Sequence, residues 1–375
     1  MKKLILLTTF ICSMHFAFSQ SENESPRLFG NSKFMLTGNA EMNMSIDSGS
    51  FNFADLAFKP IFLWHLSDKL FIEAETEIAT GPEGVELVLE YANMCYFLND
   101  YMTIHAGRFL PKFGAFRGRL GESFLNRFGL NPVGFGDGGI GPMIENGIGI
   151  QGGIPLGSAK MNYDFWVSNG PHLIDGAEDP ANAGQFDYEA YSDNNKDKAI
   201  GGRIGILPFS NSSLELGFSF ENAAKTGDAY SALENTGLKM MAFDLEYFKN
   251  ISAISSTIRI CGEYKSQKVD KVDYPVFGDS LNAVYSFDNT SSAMYGTFSI
   301  RPSASESNFV RNIELAVSYS SFDRPKEAMW GSEKQLTQTA VSLDYWLRWN
   351  STLKFTYGKN SDSDNLYVVQ FVYGF

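Results

Sequence analysis

The sequence predicts an all-β protein, a transmembrane antiparallel up-and-down β-barrel of sixteen strands. Three observations predict it. Apolar and polar residues alternate with a period of two along most of the chain. Many of the alternating runs reach the ~9 to 11 residues that a tilted membrane strand needs, against ~5 to 6 for a soluble strand. Short and long connections alternate in phase with the strand count, as they do when one rim of a barrel carries turns and the other loops. Composition agrees: 17 Tyr, 32 Phe and 5 Trp in 375 residues are too much aromatic surface for a disordered chain. Three cysteines are too few for a disulfide scaffold. The one long uncharged apolar run lies at the N-terminus, which excludes a bundle of membrane helices.

That N-terminal run reads as an export signal over residues 1–19. Lys2 and Lys3 form its basic end, Leu4 to Phe18 its apolar core, and Ala17-Phe18-Ser19 its small-residue cleavage site before Gln20. A retained anchor is disfavoured because the run falls short of the ~20 residues of a spanning helix. Residues 20–31 read as a flexible stretch and 32–375 as the barrel. Without the leader, 28 bases face 43 acids, a net charge of -15 that argues against nucleic acid as a partner. Cys95 and Cys261 remain, and two unlinked core residues are the simpler reading.

The predicted strands run 33–46, 51–65, 69–79, 84–97, 101–110, 146–154, 159–169, 197–206, 211–222, 236–247, 253–266, 289–301, 309–320, 334–347, 351–358 and 365–375. Leu214, Leu216, Phe218 and Phe220 alternate with Glu215, Gly217, Ser219 and Glu221. Val85, Leu87, Leu89 and Tyr91 lie opposite Glu86 and Glu90, and Leu70, Ile72 and Ala74 opposite Glu73, Glu75 and Glu77. In a membrane barrel the apolar face meets lipid and the carboxylates meet the aqueous lumen. Brief links follow the even strands, at Leu66-Ser67-Asp68, Leu98-Asn99-Asp100, 155–158, 207–210 and Lys249-Asn250. The long connections, near 111–145, 170–196, 223–235, 267–288 and 321–333, follow odd strands. An even strand count with both ends on one side matches a barrel in the outer membrane of a diderm bacterium, in contact with its lipid.

The lumen wall on this register includes Glu73, Glu75, Glu77, Glu86, Glu90, Asp164, Glu215, Glu221, Asp244, Glu246, Glu263, Glu314 and Asp344, with fewer bases, Lys59, Arg203, Arg259 and Lys354. Such a balance accumulates cations. Trp64, Trp346 and Trp349 fall near strand ends, where an interfacial aromatic girdle is expected. Trp166 falls on the inward phase.

The last strand places Tyr367, Val369, Phe371, Tyr373 and Phe375 on one face. This resembles the terminal strand read by the barrel assembly machinery, with Tyr373 and Phe375 as the signal. Two further patches carry a family resemblance. Gly107-Arg108-Phe109-Leu110-Pro111-Lys112-Phe113-Gly114 and Tyr163-Asp164-Phe165-Trp166-Val167-Ser168-Asn169-Gly170 resemble elements of the phosphate-selective porin O/P family. The resemblance implies a porin that passes small polar or ionic solutes, assembles as a homotrimer, and folds its third outside loop into the lumen. In this chain that loop is 111–145, too long for an ordinary link. Arg108, Lys112, Arg117, Arg119 and Arg127 set five bases against one acid, Glu122, across this region. As a pore constriction they would attract anions such as phosphate; alternatively they pair with wall carboxylates and pin the loop. Both roles are compatible, and Arg117, Arg119 and Arg127 are expected to face Glu73, Glu75 and Glu86.

Two other functions stay open: a plugged barrel whose acidic loops near 170–196 and 267–288 bind a surface partner, and a barrel hydrolase. Against hydrolysis, His65, His105 and His172 stand in no nucleophile motif, so no catalytic residue is assigned. No His/Cys/Asp spacing indicates a metal site, and no cofactor is implied. Gly134 to Gly141 lacks the Lys-Ser/Thr of a phosphate loop and is better suited to bending the third loop. Asp137 within it is a carboxylate that Ca²⁺ would accept, on composition alone.

Overall fold

The computed structural model describes residues 33–375 apart from 48, 49, 82, 83, 137, 276–283, 332, 333 and 364. The export signal over 1–19, the stretch 20–31 and Asp137 lie outside the described residues. Sixteen strands close into one antiparallel barrel. They are β1 (Phe34–Asp47), β2 (Ser50–Ser67), β3 (Leu70–Gly81), β4 (Gly84–Asn99), β5 (Met102–Phe109), β6 (Glu145–Leu156), β7 (Ala159–Ser168) and β8 (Ala199–Leu207). The circuit continues with β9 (Leu214–Ala223), β10 (Leu238–Ile251), β11 (Ser256–Val269), β12 (Thr290–Arg301), β13 (Ile313–Asp323), β14 (Gln335–Arg348), β15 (Ser351–Asn360) and β16 (Leu366–Gly374). Every strand end falls within four residues of its expected position. β16 pairs back onto β1, from Asn39 opposite Gly374 to Ile46 opposite Tyr367, so no edge is left unpaired.

The alternation divides the wall as expected. Leu216 and Phe218 are exposed outward while Glu215, Ser219 and Glu221 are buried inside. Tyr367, Phe371 and Tyr373 are exposed outward while Val368, Gln370 and Val372 are buried. Phe375 stacks on Phe58 with centroids 5.2 Å apart, and its carbonyl oxygen accepts from Thr37 Oγ1 at 2.7 Å. Cys95 and Cys261 are buried and unlinked.

Three details differ from the expectation. A bulge on β4, opposite Glu75 and Thr76 of β3, leaves Glu90 without a direct partner, since Glu75 pairs with Tyr91 and Thr76 with Leu89. A bulge places two successive residues against one, which resets the phase. Tyr91 therefore turns inward and hydrogen-bonds the Glu75 carboxylate, instead of continuing the outward row of Val85, Leu87 and Leu89. Trp346 does not join the girdle: it shares the inward phase of Asp344, is 9% exposed, and donates from Nε1 to Glu314 Oε2 at 2.9 Å. Trp64 and Trp349 are exposed. The link after β10 lies at Ser252–Ile254 and Ser255, because pairing runs on through Lys249 and Asn250 to Ile251 opposite Ser256.

The long connections fold in two places. Those after β7, β9, β11 and β13 meet in an apolar cluster of Leu173, Ala183, Leu233, Tyr274, Phe287 and Ala328. Trp330 packs against it and donates from Nε1 to Ala183 O at 2.8 Å. The connection after β5 instead enters the barrel.

Candidate functional site in the lumen

The chain between β5 and β6 opens with Pro111 and one wide helical turn at Phe116–Leu120. Its entry depends on Gly114, at φ 68°, where a Cβ would lie 2.0 Å from the Glu263 carboxylate. That carboxylate occupies the space and accepts the Ala115 and Phe116 N–H groups at 2.8 and 2.9 Å. Further along, Gly134, at φ 81°, brings the loop so close to β12 and β13 that a Cβ would meet Ala293 Cβ at 2.7 Å. Ile140 N returns to Gly134 O at 3.1 Å, the tight bend expected of this glycine-rich stretch.

Contacts on the way define where the loop leans. Gly114 N donates to Ser219 Oγ on β9 at 3.0 Å, Arg259 of β11 to Leu125 O at 3.3 Å, Gly129 N to Thr356 Oγ1 on β15 at 3.0 Å, and Val133 N to Ser320 Oγ on β13 at 3.1 Å. Lys265 of β11 and Lys354 of β15, both buried, donate to Ile140 O and Ser123 O. Phe116, Phe135 and Tyr295 of β12 interlock edge to face, with centroids 4.8 to 5.7 Å apart. They belong to a cluster that includes Leu238, Met240 and Ala242 of β10 and Leu336 of β14, so this half of the interior is packed like a soluble core.

The expected constriction residues divide. Arg108 is 6% exposed, and its guanidinium donates to the carbonyls of Leu89, Glu90, Ala190 and Glu189 while lying 4.0 Å from the Tyr191 ring centroid. It sits in the wall as a fastener. Arg127 is pinned by Glu314 Oε1 at 2.9 Å and by the Trp346 ring at 5.0 Å. Lys112, Arg117 and Arg119 keep 49%, 31% and 37% of their side chains exposed.

Their partners differ from the expectation. Arg117 meets Glu90 at 3.4 Å and Glu189 at 3.5 Å. Arg119 meets Glu215 at 2.7 Å, Glu246 at 3.8 Å and Asp244 at 4.0 Å, and Lys112 meets Asp164 at 3.6 Å. The expected facing of Arg117, Arg119 and Arg127 with Glu73, Glu75 and Glu86 does not occur. Glu73 accepts from Asn93 at 3.3 Å, Glu75 is held by Tyr91, and Glu86 is exposed near the β3–β4 turn. Which strand a loop cation reaches depends on the path across the lumen, and local sequence carries no record of that path.

Behind Arg119, Arg203 is 4% exposed and clasps Asp244 through two bonds of 2.6 and 3.0 Å, with Glu215 at 3.0 Å. Arg259 reaches Glu246 at 3.0 Å. Opposite the loop, Lys59 bridges Glu77 at 3.0 Å and Glu41 at 3.6 Å. Glu122, the single acid of the basic stretch, has its carboxyl held above its ordinary range by burial, with Glu41 and Glu90 adding to the rise and Lys59 and Arg117 opposing it. Glu41, Glu145 and Lys265 were not anticipated as interior residues. Glu41 and Lys265 were visible on the inward phase of β1 and β11, while Glu145 stood at an uncertain strand end.

The exterior is apolar and closed, and the interior is charged, filled on one side by a loop. No family model matches the sequence, and no curated protein matches it. Among solved structures, OmpF of Salmonella typhi, in a complex with daunomycin, superposes with a TM-score of 0.57 at 13% identity, covering 94% of this chain and 100% of that one. The barrel has the porin fold. The outer-membrane channel DcaP of Acinetobacter baumannii (TM-score 0.54, 11% identity, 91% and 97% covered) and an anion-selective porin from Comamonas acidovorans (0.53, 13%, 91% and 99%) share it. A porin-fold barrel with a lipid-facing exterior resides in the bacterial outer membrane, where only closed barrels satisfy every backbone group of a strand.

Proposed function

We propose that the protein is an outer-membrane porin through which small polar solutes diffuse passively, without turnover. The reading rests on one observation: Lys112, Arg117 and Arg119 stay partly exposed inside the barrel although each touches a wall carboxylate. Fixed cations on the loop and fixed anions on the wall set up a field across the passage, which orders polar solutes instead of trapping them. Every exposed loop base already has at least one carboxylate partner, which favours a weak cation preference over the phosphate selectivity that the family resemblance implied. Wall pairs such as Lys59 with Glu41 and Glu77 point the same way.

Assembly belongs to the same proposal. Tyr373 and Phe375 serve as the signal for the barrel assembly machinery, and the barrels associate as homotrimers, as OmpT of Vibrio cholerae is described in a trimer form. The test is the reversal potential of the refolded mature protein in a planar bilayer under a KCl gradient. Stepwise conductance with a modest cation-directed potential is the expected result. Silence from folded, inserted protein would remove the open-porin reading, and a strong anion-directed potential would restore phosphate selectivity.

A further inference from the structure

Two cavities of about 180 Å³ each lie beside the start of the third loop, and both are lined by Lys112, Gly118 and Asp164. The first is also lined by Glu73, Asn93 and His105, the second by Arg119. Two buried polar atoms in the first lack a partner: Asn93 Oδ1 and His105 Nδ1, on residues that are 5% and 3% exposed. Asn93 turns its Nδ2 toward Glu73 at 3.3 Å, which leaves the oxygen as an acceptor. His105 Nε2 lies 3.4 Å from Asp164 Oδ1, and in the tautomer that donates from Nε2 the other ring nitrogen, Nδ1, is an acceptor too. Glu73 has no basic partner within ion-pair distance among the described residues. This lobe therefore combines a carboxylate with two acceptors and asks for a ligand group rich in N–H donors, the chemistry of an ammonium.

The other lobe has the opposite character. Lys112, with 49% of its side chain exposed, stands between the two cavities, and Arg119, 37% exposed, stands at the far one. Lys112 is engaged by Gln151 and Asp164, and Arg119 by Glu215, Glu246 and Asp244, yet the exposed part of each side chain offers positive charge to an anionic group. A purely anionic solute would meet Glu73 and the two acceptors, and a purely cationic one would meet Lys112 and Arg119.

We propose that the joined cavities form a subsite for small zwitterions carrying an ammonium and a carboxylate, such as amino acids and short peptides, with the ammonium at Glu73, Asn93 and His105 and the carboxylate at Lys112 and Arg119. The proposal rests on the porin reading, since the cavities are reached through the lumen. It is tested by adding four probes to the refolded mature protein conducting KCl in a planar bilayer: alanyl-alanine, its N-acetyl derivative, its amide, and the doubly capped molecule. Alanyl-alanine is expected to block current at about tenfold lower concentration than either singly capped derivative, the factor that one charge-assisted hydrogen bond supplies. Glu73→Gln is expected to erase the advantage over the N-acetyl derivative, and Lys112→Gln the advantage over the amide. If the channel conducts and all four probes act alike, or if only the anion blocks, the subsite is overturned while the pore stands. If folded, inserted protein passes no current, the porin reading fails and the subsite with it. The four probes on the unsubstituted protein decide the matter even where a variant does not fold.

Discussion

The two halves of the barrel interior obey the same alternation and do opposite things with it. From β1 to β4 the inward positions carry Asn39, Glu41, Lys59, Glu73, Glu75, Glu77 and Asn93, and the pairs among them keep part of their surface open. From β8 to β14 the inward positions toward the long-loop rim carry Ala199, Ala223, Leu238, Met240, Ala242, Ala293 and Leu336, buried against Phe116, Phe135 and Ile140 of the third loop. The apolar loop cluster against which Trp330 packs is built from the connections after β7, β9, β11 and β13. Small and apolar residues on an inward phase thus mark where a loop leans, whereas charged ones occur both in the open half and buried beneath the loop, as Glu263, Lys265 and Lys354 are.

The comparison breaks most forcefully where the packed half also holds charge. Arg203→Met leaves Asp244 and Glu215 without their buried cation and is expected to cost about 3 to 5 kcal/mol, read as a lower denaturant midpoint of the folded barrel. Phe135→Ala removes a 1% exposed ring from the loop and wall contact at a cost of about 3 kcal/mol or more. Faster hydrogen exchange over 111–144, with the strands unchanged, is the expected signature.

Smaller effects sharpen the open passage. Arg117→Ala with Arg119→Ala takes two part-exposed cations from the loop and is expected to raise the cation-to-anion permeability ratio about twofold, in keeping with pairs worth under ~1 kcal/mol each. An unchanged reversal potential would take both residues off the passage. Glu122, with its carboxyl raised by burial, favours the neutral form in the folded protein, so its contribution is complete below the ordinary Glu range and lost as pH rises through the raised value. Loop fluctuations, seen as open-channel noise, are expected to grow as pH rises above the ordinary Glu range, and Glu122→Gln is expected to flatten that dependence. Glu86→Gln, at the exposed rim, is expected to shift stability by less than ~0.5 kcal/mol.

Much of this was legible in the sequence. Period-two alternation placed all sixteen strands, and length with basic composition singled out the third loop. Lys112, Arg117 and Arg119 were legible as loop cations because five bases against one acid is unusual in an acidic chain. Their partners were not, because Glu90, Glu215 and Asp244 come into reach only through the route of the loop. Tyr91 was misassigned because a bulge has no signature in a simple alternation, and Trp346 because its inward phase was set aside for its position near a strand end. Arg108 stands at the end of β5 in the basic run, and nothing local distinguishes a base that fastens carbonyls from one that lines a passage.

The central claim is that the passage stays open beside the third loop, past Lys59 on one side and Lys112 and Arg119 on the other, with the long-loop rim of β10 to β14 closed by packing. Single cysteines at Lys59→Cys and Ala242→Cys, each with Cys95 and Cys261 replaced by Ala, test it directly with a charged, membrane-impermeant thiol reagent during bilayer recording. The account predicts that the reagent rapidly lowers conductance through the Lys59→Cys channel and leaves the Ala242→Cys channel unchanged. Modification at 242 with none at 59 would place the passage on the wrong side of the loop and contradict the account.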